Sequence, residues 1–487
     1  MATTLQCKSS SSGKAAVIRR ILLTCLFFLA LIHRPFAQYI AEVLEYRPAP
    51  GQHINALPWG VPASAQSLPG GVNGSLSLGA FGGYVVFRFA TPVVNHPHNP
   101  YGVDFTIFGN PLPGLSEPGI VSVMKDENEN GLPDDTWYEL AGSDHWFSCT
   151  RRDFSVSYYN PGGNTATDVP WTDKDGGSGF IHANAMHTQP YYPLADSFPS
   201  IHPVEYLLTG TRISGGIDLS NPAMVMSLPR AFGYADNRPR GTAPYTIPDN
   251  PYTREVENAG GDAFDIGWAI DASGNYADLD KIHFVRVQTG MLAGMGWLGE
   301  ISTEITGAVA VAPDSSIGGM TEMVVIKDIP PRLDTTQLQL EAYAFSMGRL
   351  MPAADIAWAT NMEEATVSAD GLLTVSASGN LEIQAALAGN PDVFATASTV
   401  VELPAKVMGA PGIAAVKVYP NPATRHVFID GLAGMRVQFF NSNGMLQLEI
   451  SVQDKHKGID ISGLKPGLYL LRAVYGRQSH SFKLVKH

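Results

Sequence analysis

The sequence predicts an all-β chain, and three features predict it. Glycine and proline are abundant, 49 and 35 of 487 residues, which supplies turns at short intervals. Apolar residues alternate with polar ones in short stretches, as in Tyr84-Val85-Val86-Phe87-Arg88-Phe89 and His283-Phe284-Val285-Arg286-Val287-Gln288, the period of a strand with one buried face. No segment of the mature chain sustains a helical period. A chain of this length exceeds a single core, and ordinary domain sizes divide it into about three parts.

The N-terminus has the order of a secretory signal. Lys14, Arg19 and Arg20 lead into an apolar run over 21–32, and Pro35-Phe36-Ala37 places a small residue before Gln38. That run is well short of the ~20 residues a membrane span needs, so residues 1–37 read as a cleaved signal peptide, not an anchor. No later segment is apolar enough to span, so no transmembrane anchor is expected. Cys7 and Cys25 leave with the signal and Cys149 remains alone, which excludes an intramolecular disulfide and leaves the loops to be held by packing or metal. A net charge of −13 with no basic stripe excludes a nucleic-acid partner.

Residues 38–306 read as one large head domain, a β-sandwich of jelly-roll type. Further strands fall at Asp104-Phe105-Thr106-Ile107-Phe108, Ile120-Val121-Ser122-Val123-Met124 and Ser155-Val156-Ser157-Tyr158-Tyr159. Between two of them lies Asp126-Glu127-Asn128-Glu129-Asn130-Gly131-Leu132-Pro133-Asp134-Asp135. Oxygen side chains at alternate positions, a glycine at the sharp turn and an acid at the ninth position form the spacing by which a short loop wraps calcium. The expected ligands of this structural calcium are Asp126, Asn128, Asn130, Leu132 through its carbonyl, Asp134 and Asp135. The alternative is a polar turn that binds nothing. The loop resembles the D-x-N-x-N-G loops of dockerin and thrombospondin type 3 modules, but Trp137 stands where those carry an acid, leaving Asp135 or Glu139 as substitutes.

Residues 309–403 read as a bacterial Ig-like domain. Ile356-Ala357-Trp358, Ala365-Thr366-Val367 and Leu381-Glu382-Ile383-Gln384-Ala385 are short strands, Asp370-Gly371 signals a hairpin, and Trp358 is expected in the core. A glycine- and proline-rich linker spans 404–415. Residues 416–487 form a last β module whose markers are Val418-Tyr419-Pro420-Asn421-Pro422, Asn441-Ser442-Asn443-Gly444, Ile459-Asp460-Ile461-Ser462-Gly463-Leu464, Pro466-Gly467-Leu468-Tyr469 and Phe482-Lys483-Leu484-Val485-Lys486. In this order they resemble the type A C-terminal sorting domain of the Bacteroidetes type IX secretion system. The resemblance implies Sec export, passage of the outer membrane by the type IX machinery, and removal of the tail with release or surface attachment.

The head itself, through Phe81-Gly82-Gly83-Tyr84, Glu117-Pro118-Gly119 and Gly296-Trp297-Leu298-Gly299-Glu300, resembles a family of Bacteroidetes cell-surface proteins. They are often combined with PKD or Ig-like modules, and some are associated with outer-membrane nutrient receptors. That implies a glycan or another small nutrient such as a corrinoid as ligand, and a receptor as a partner, but no catalytic residue.

The sequence carries no G-x-S-x-G, P-loop, H-E-x-x-H or C-x-x-C signature. His182, His187 and His202 lack the spacing of a zinc pair and read as solvated loop residues. Acids that a glycosidase would need are available at Glu117, Asp173, Asp175, Asp236, Glu255, Glu257 and Glu300, and sequence does not pair them. Aromatic side chains in turn-rich segments, bordered by polar ones, suit sugars and other ring-bearing ligands. On that ground Trp171, Tyr191, Tyr192, Phe232, Tyr234, Asp236 and Arg238 are expected to line an exposed ligand surface. The sequence therefore points first to a secreted or surface-bound binding protein; a glycoside hydrolase-like enzyme and an adhesin or matrix protein are the alternatives.

Overall fold

The computed structural model describes residues 38–487 apart from 222–223, 242–244, 246, 259, 353, 404–416, 431–433, 454–457 and 476–477. The expected signal peptide and the expected linker lie outside the described residues. The chain is all-β and divides into two compact units, one up to Leu403 and one from Pro404 to His487.

The first unit is built around a nine-stranded sheet. Its strands lie in the order Asp262–Phe264, Phe105–Phe108, Gly307–Ala310, Gln38–Arg47, Tyr84–Val94, Lys281–Thr289, Gly119–Met124, Trp137–Leu140 and Ala269–Ile270. The two outermost strands are joined by residues 265–268 alone, so the sheet curls until its edges meet. Val85, Phe87 and Phe89 alternate inward from one central strand, Val285 and Val287 from its neighbour, and Phe105, Val121, Phe264 and Trp268 complete the filling. This alternation is what one buried face of a twisted sheet requires. Val309 and Ala310 pair with Thr106 and Phe105, so the head takes in two residues that the sequence reading assigned to the next domain.

A second sheet, ordered Glu205–Arg212, Arg151–Tyr159, Val169–Asp173 and Ser178–Ile181, covers the outer side of the first. Phe154, Val156, Tyr158, Tyr206 and Leu208 pack there against Phe81, Tyr191 and Tyr192. Buried tyrosines need a partner for the hydroxyl. Tyr158 accordingly donates to the Phe81 carbonyl at 2.8 Å and Tyr192 to the His202 carbonyl at 2.7 Å.

The Ig-like segment has its own strands, including Arg332–Leu333, Ile356–Thr360, Gly379–Leu387 and Asn390–Val401 in one sheet. Trp358 is half-buried and packs against both of its hydrophobic clusters. This segment also shares a core with the head. Met323, Val325 and Phe345 are buried in the head cluster, Phe345 lies 5.1 Å from Phe232 between ring centroids, and the Trp268 indole donates to the Met347 carbonyl at 2.9 Å. Gly348 permits that approach: its φ is +68°, and a Cβ there would stand 2.1 Å from Trp268 Nε1.

The second unit is a small sandwich of two sheets, Lys417–Tyr419, His426–Asp430 and Ile459–Asp460 against Leu446–Val452, Met435–Phe440, Gly467–Tyr475 and Gln478–Lys486. Val427, Val437, Phe439, Leu471 and Leu484 form its separate core.

Candidate functional site

The expected ligand surface does not form as a surface. Phe232, Tyr234, Tyr191, Tyr192 and Asp236 are all buried. Phe232 packs against Trp268 with ring centroids 5.2 Å apart and planes tilted by 59°, the Tyr234 hydroxyl accepts from the Asp144 amide at 3.1 Å, and the Tyr191 hydroxyl accepts from the Asn184 amide at 3.1 Å. Arg238 is held inward, donating to the carbonyls of Ala231 and Thr253 and lying 3.5 Å from Asp249. The physical reason for the correction is that long loops over a sheet need a core of their own, and aromatic rings with a polar tip supply it.

Trp171 is the exception. It lies half-buried on the strand Val169–Asp173, opposite Gly179. The glycine is required by close approach, since a Cβ at 179 would stand 2.6 Å from Trp171 Cζ2, so the indole lies flat across the neighbouring strand. Phe180, 53% exposed, and His182 follow at alternate positions, with ring centroids 5.9 Å apart. His182 Nδ1 is 2.8 Å from Asp168 Oδ2. The Ala183 amide, aided by His182, holds the Asp168 carboxyl below its usual range.

Trp171, Phe180 and His182 line a cleft of about 310 Å³ together with Leu292, Gly299 and Glu300. Glu300 is buried; its Oε1 accepts from the Gln52 amide at 2.7 Å, whereas Oε2 meets no donor. Burial pushes its carboxyl up to about 7, against the pull of the Gln52 amide, and the charge of Glu304 adds to the rise. A partly exposed aromatic floor of this kind can stack a sugar or another ring, with the buried Glu300 in the wall behind it.

Close enough to Glu300 for the Glu304 charge to act on it, the structure gathers three more acids. Glu117 precedes the strand Gly119–Met124, Asp236 follows Ala235, which bridges to Gly119, and Glu304 opens the strand Glu304–Ile305. Asp236 and Glu304 are buried, and Glu117 is half-buried. Glu117 Oε1 accepts from the Ser302 amide at 2.9 Å, and Asp236 accepts from the amides of Asn110 at 2.9 Å and Glu304 at 2.7 Å. Burial and then the neighbouring Glu304 charge hold Glu117 and Asp236 well above the usual carboxylate range. Sequence reasoning named Glu117 and Asp236 without joining them, and missed Glu304 and Phe180. The signal for Phe180 was its alternate spacing with His182; nothing local marked Glu304.

The 126–135 loop is the turn of the hairpin between Gly119–Met124 and Trp137–Leu140. Its side-chain oxygens fold onto its own amides. Asp126 accepts from Asn130 at 3.1 Å and Gly131 at 2.9 Å, Asn128 from Asn130 at 3.0 Å, Asn130 from Leu132 at 2.7 Å and Asp135 from Glu127 at 2.9 Å. Asp134 receives the Asn128 and Asn130 amide groups at 3.1 and 3.0 Å. Trp137, at the twelfth position, lies in the strand beneath the Arg286 guanidinium, 4.8 Å away. Cys149 is half-buried, and burial pushes its thiol up, which makes it a poor nucleophile.

Residues 417–487 match a known family, the secretion system C-terminal sorting domain. The chain is cargo of type IX secretion, exported to the cell surface or released from it. Among the described residues no helix is long and apolar enough to cross a membrane. No curated protein matches the sequence. Among solved structures, a titin tandem of Ig domains aligns at 15% identity over 34% of this chain and 98% of that one, with a TM-score of 0.14. Surface layer protein SbsC, domains 1–6, aligns at 13% over 83% and 52% with a TM-score of 0.18. Dimeric latent PorU from Porphyromonas gingivalis aligns over 69% and 30% with a TM-score of 0.11. Scores this low establish neither a shared architecture nor a shared function.

Proposed function

We propose that residues 38–403 are a surface-exposed binding protein that captures a glycan, or a comparable ring-bearing nutrient such as a corrinoid, in the cleft between Trp171 and Glu300. The observation that carries this reading is the pairing of partly exposed Trp171 and Phe180 along one cleft, with His182 at its side. An outer-membrane receptor is the proposed recipient of the ligand. The test is a glycan and corrinoid array on the purified chain, followed by calorimetry on each hit. Trp171→Ala is expected to weaken binding about tenfold or more, as loss of a stacking platform does, with little change in thermal unfolding. Hits whose affinity is unchanged by this substitution would place the ligand elsewhere. Turnover of a bound glycan would replace the binding reading with the hydrolase one.

A structural calcium in the 126–135 loop belongs to the same proposal. Asp126, Asn128, Asn130, the Leu132 carbonyl, Asp134 and Asp135 would hold it, with Asp134 and Asp135 contributing charge in place of the missing twelfth-position acid. Extracellular calcium sites bind at about 10⁻⁴–10⁻³ M, so calcium at about 1 mM should add about 0.4–1.4 kcal/mol of stability. Melting curves in calcium and in chelator are expected to differ for the wild type, and the difference is expected to shrink in Asp126→Ala. Identical curves for the wild type in both conditions would remove the calcium claim.

A further inference from the structure

We propose that Glu117, Asp236 and Glu304 hold a hard divalent cation, calcium, at a site inside the head distinct from the 126–135 loop. One carboxylate oxygen from each of the three lies within 4.8 Å of the other two. Oxygens on opposite sides of one calcium ion stand about 4.8 Å apart, twice a metal–oxygen distance of ~2.4 Å. All three can therefore touch the same ion. A second observation points to a missing partner: Glu304 is 4% exposed, and its Oε1 meets no hydrogen-bond donor. A buried carboxylate oxygen without a donor is costly unless a proton or a cation serves it.

The chemistry of the group selects the ion. Its donors are carboxylate oxygens, with no nitrogen or sulfur among them, a set that suits calcium, magnesium or manganese over zinc or copper. Calcium tolerates irregular geometry, whereas magnesium demands a near-ideal octahedron. The Ser302, Asn110 and Glu304 amides hold two of the acids in place, and each amide uses only part of its acceptor's capacity. Half-buried Glu117 gives the ion a route from solvent. When all three acids are ionised they repel one another strongly at low dielectric, and a divalent ion offsets most of that repulsion. The ion would also brace the segment carrying Glu300 and Glu304, which forms one wall of the cleft.

Equilibrium dialysis of calcium against the full chain tests this, with Asp126→Ala as the background that silences the loop. In that background the chain is expected to keep one bound calcium, and Glu117→Gln and Glu304→Gln are each expected to weaken it about tenfold or more, the scale of a lost metal-site contact. Melting curves give a second readout. Calcium should raise the melting temperature of the parent, and Glu117→Gln, which removes a ligand, should shrink that rise. Because Glu117 is partly exposed, this variant keeps the test open if Glu304→Gln does not fold. Calcium binding unchanged in Glu117→Gln would overturn the proposal. So would a protonated-carboxyl infrared band that saturating calcium leaves unaltered, which would assign the group to a shared proton.

Discussion

Replacing Trp268 with alanine is expected to cost about 3–5 kcal/mol, the range for removing a large buried aromatic. The loss should fall on the head and the Ig-like segment together. Trp268 is fully buried among Phe232, Phe264 and Tyr252, at the place where the curled sheet closes. Its indole also donates to the Met347 carbonyl, so truncation leaves a cavity and an unpaired backbone acceptor. Hydrogen exchange in rising denaturant should show strands Phe105–Phe108 and Ala342–Ser346 losing protection in one step, and Trp268→Ala should move that step for both. Separate steps, with only the head displaced, would show that the shared aromatic core does not couple them. Phe232→Ala belongs to the same class: its expected effect is on stability, because its ring packs between Trp268 and Phe345.

Arg230→Met should destabilise by a similar amount for a different reason. Arg230 Nε donates to Asp144 at 2.6 Å and its Nη1 to Asp328 at 2.8 Å, with Arg230 and Asp144 both buried and Asp328 half exposed. Burial works against the guanidinium charge, and the two acids more than offset it, raising its affinity for the proton. Removing the arginine leaves Asp144 in the interior without its counter-charge, a change that costs about 3–5 kcal/mol. Much of that loss should return in the double variant Arg230→Met, Asp144→Asn, because the stranded charge has gone. Chemical denaturation of the four proteins gives the coupling directly. A double variant as unstable as the sum of the singles would show that the pair contributes no mutual stabilisation.

What was legible in the sequence was local. The strand through Val85, Phe87 and Phe89 and the one through Val285 and Val287 show their buried faces as alternation, and the tail shows its identity as ordered motifs. Sheet closure was not legible, since Asp262–Phe264 and Ala269–Ile270 are very short and find their partners at Phe105–Phe108 and Trp137–Leu140 far back along the chain. Exposure of loop aromatics was misread for a related reason. Phe232 and Tyr191 occur in turn-rich sequence, but a turn-rich segment laid over a sheet can be as buried as a strand. The cleft was half legible: Trp171 stood out by residue type, whereas Glu300 was one of many acids until the fold placed it. Glu304 was invisible because its neighbours in the fold, Glu117 and Asp236, lie distant in sequence and are brought to it by the Gly119–Ala235 bridge and the strand Glu304–Ile305.

The division of labour between residues 38–403, which carry the proposed ligand site, and the tail, which directs export, is tested most directly by moving the tail. A passive reporter fused to residues 416–487 behind a Sec signal should reach the cell surface or the medium. The chain deleted of those residues should stay in the periplasm with its first unit folded, since the two units have separate cores. Mass spectrometry of exported wild-type protein should find no peptide ending Phe482-Lys483-Leu484-Val485-Lys486. Normal surface display of the deleted chain, or surface protein that keeps that terminus, would contradict the division.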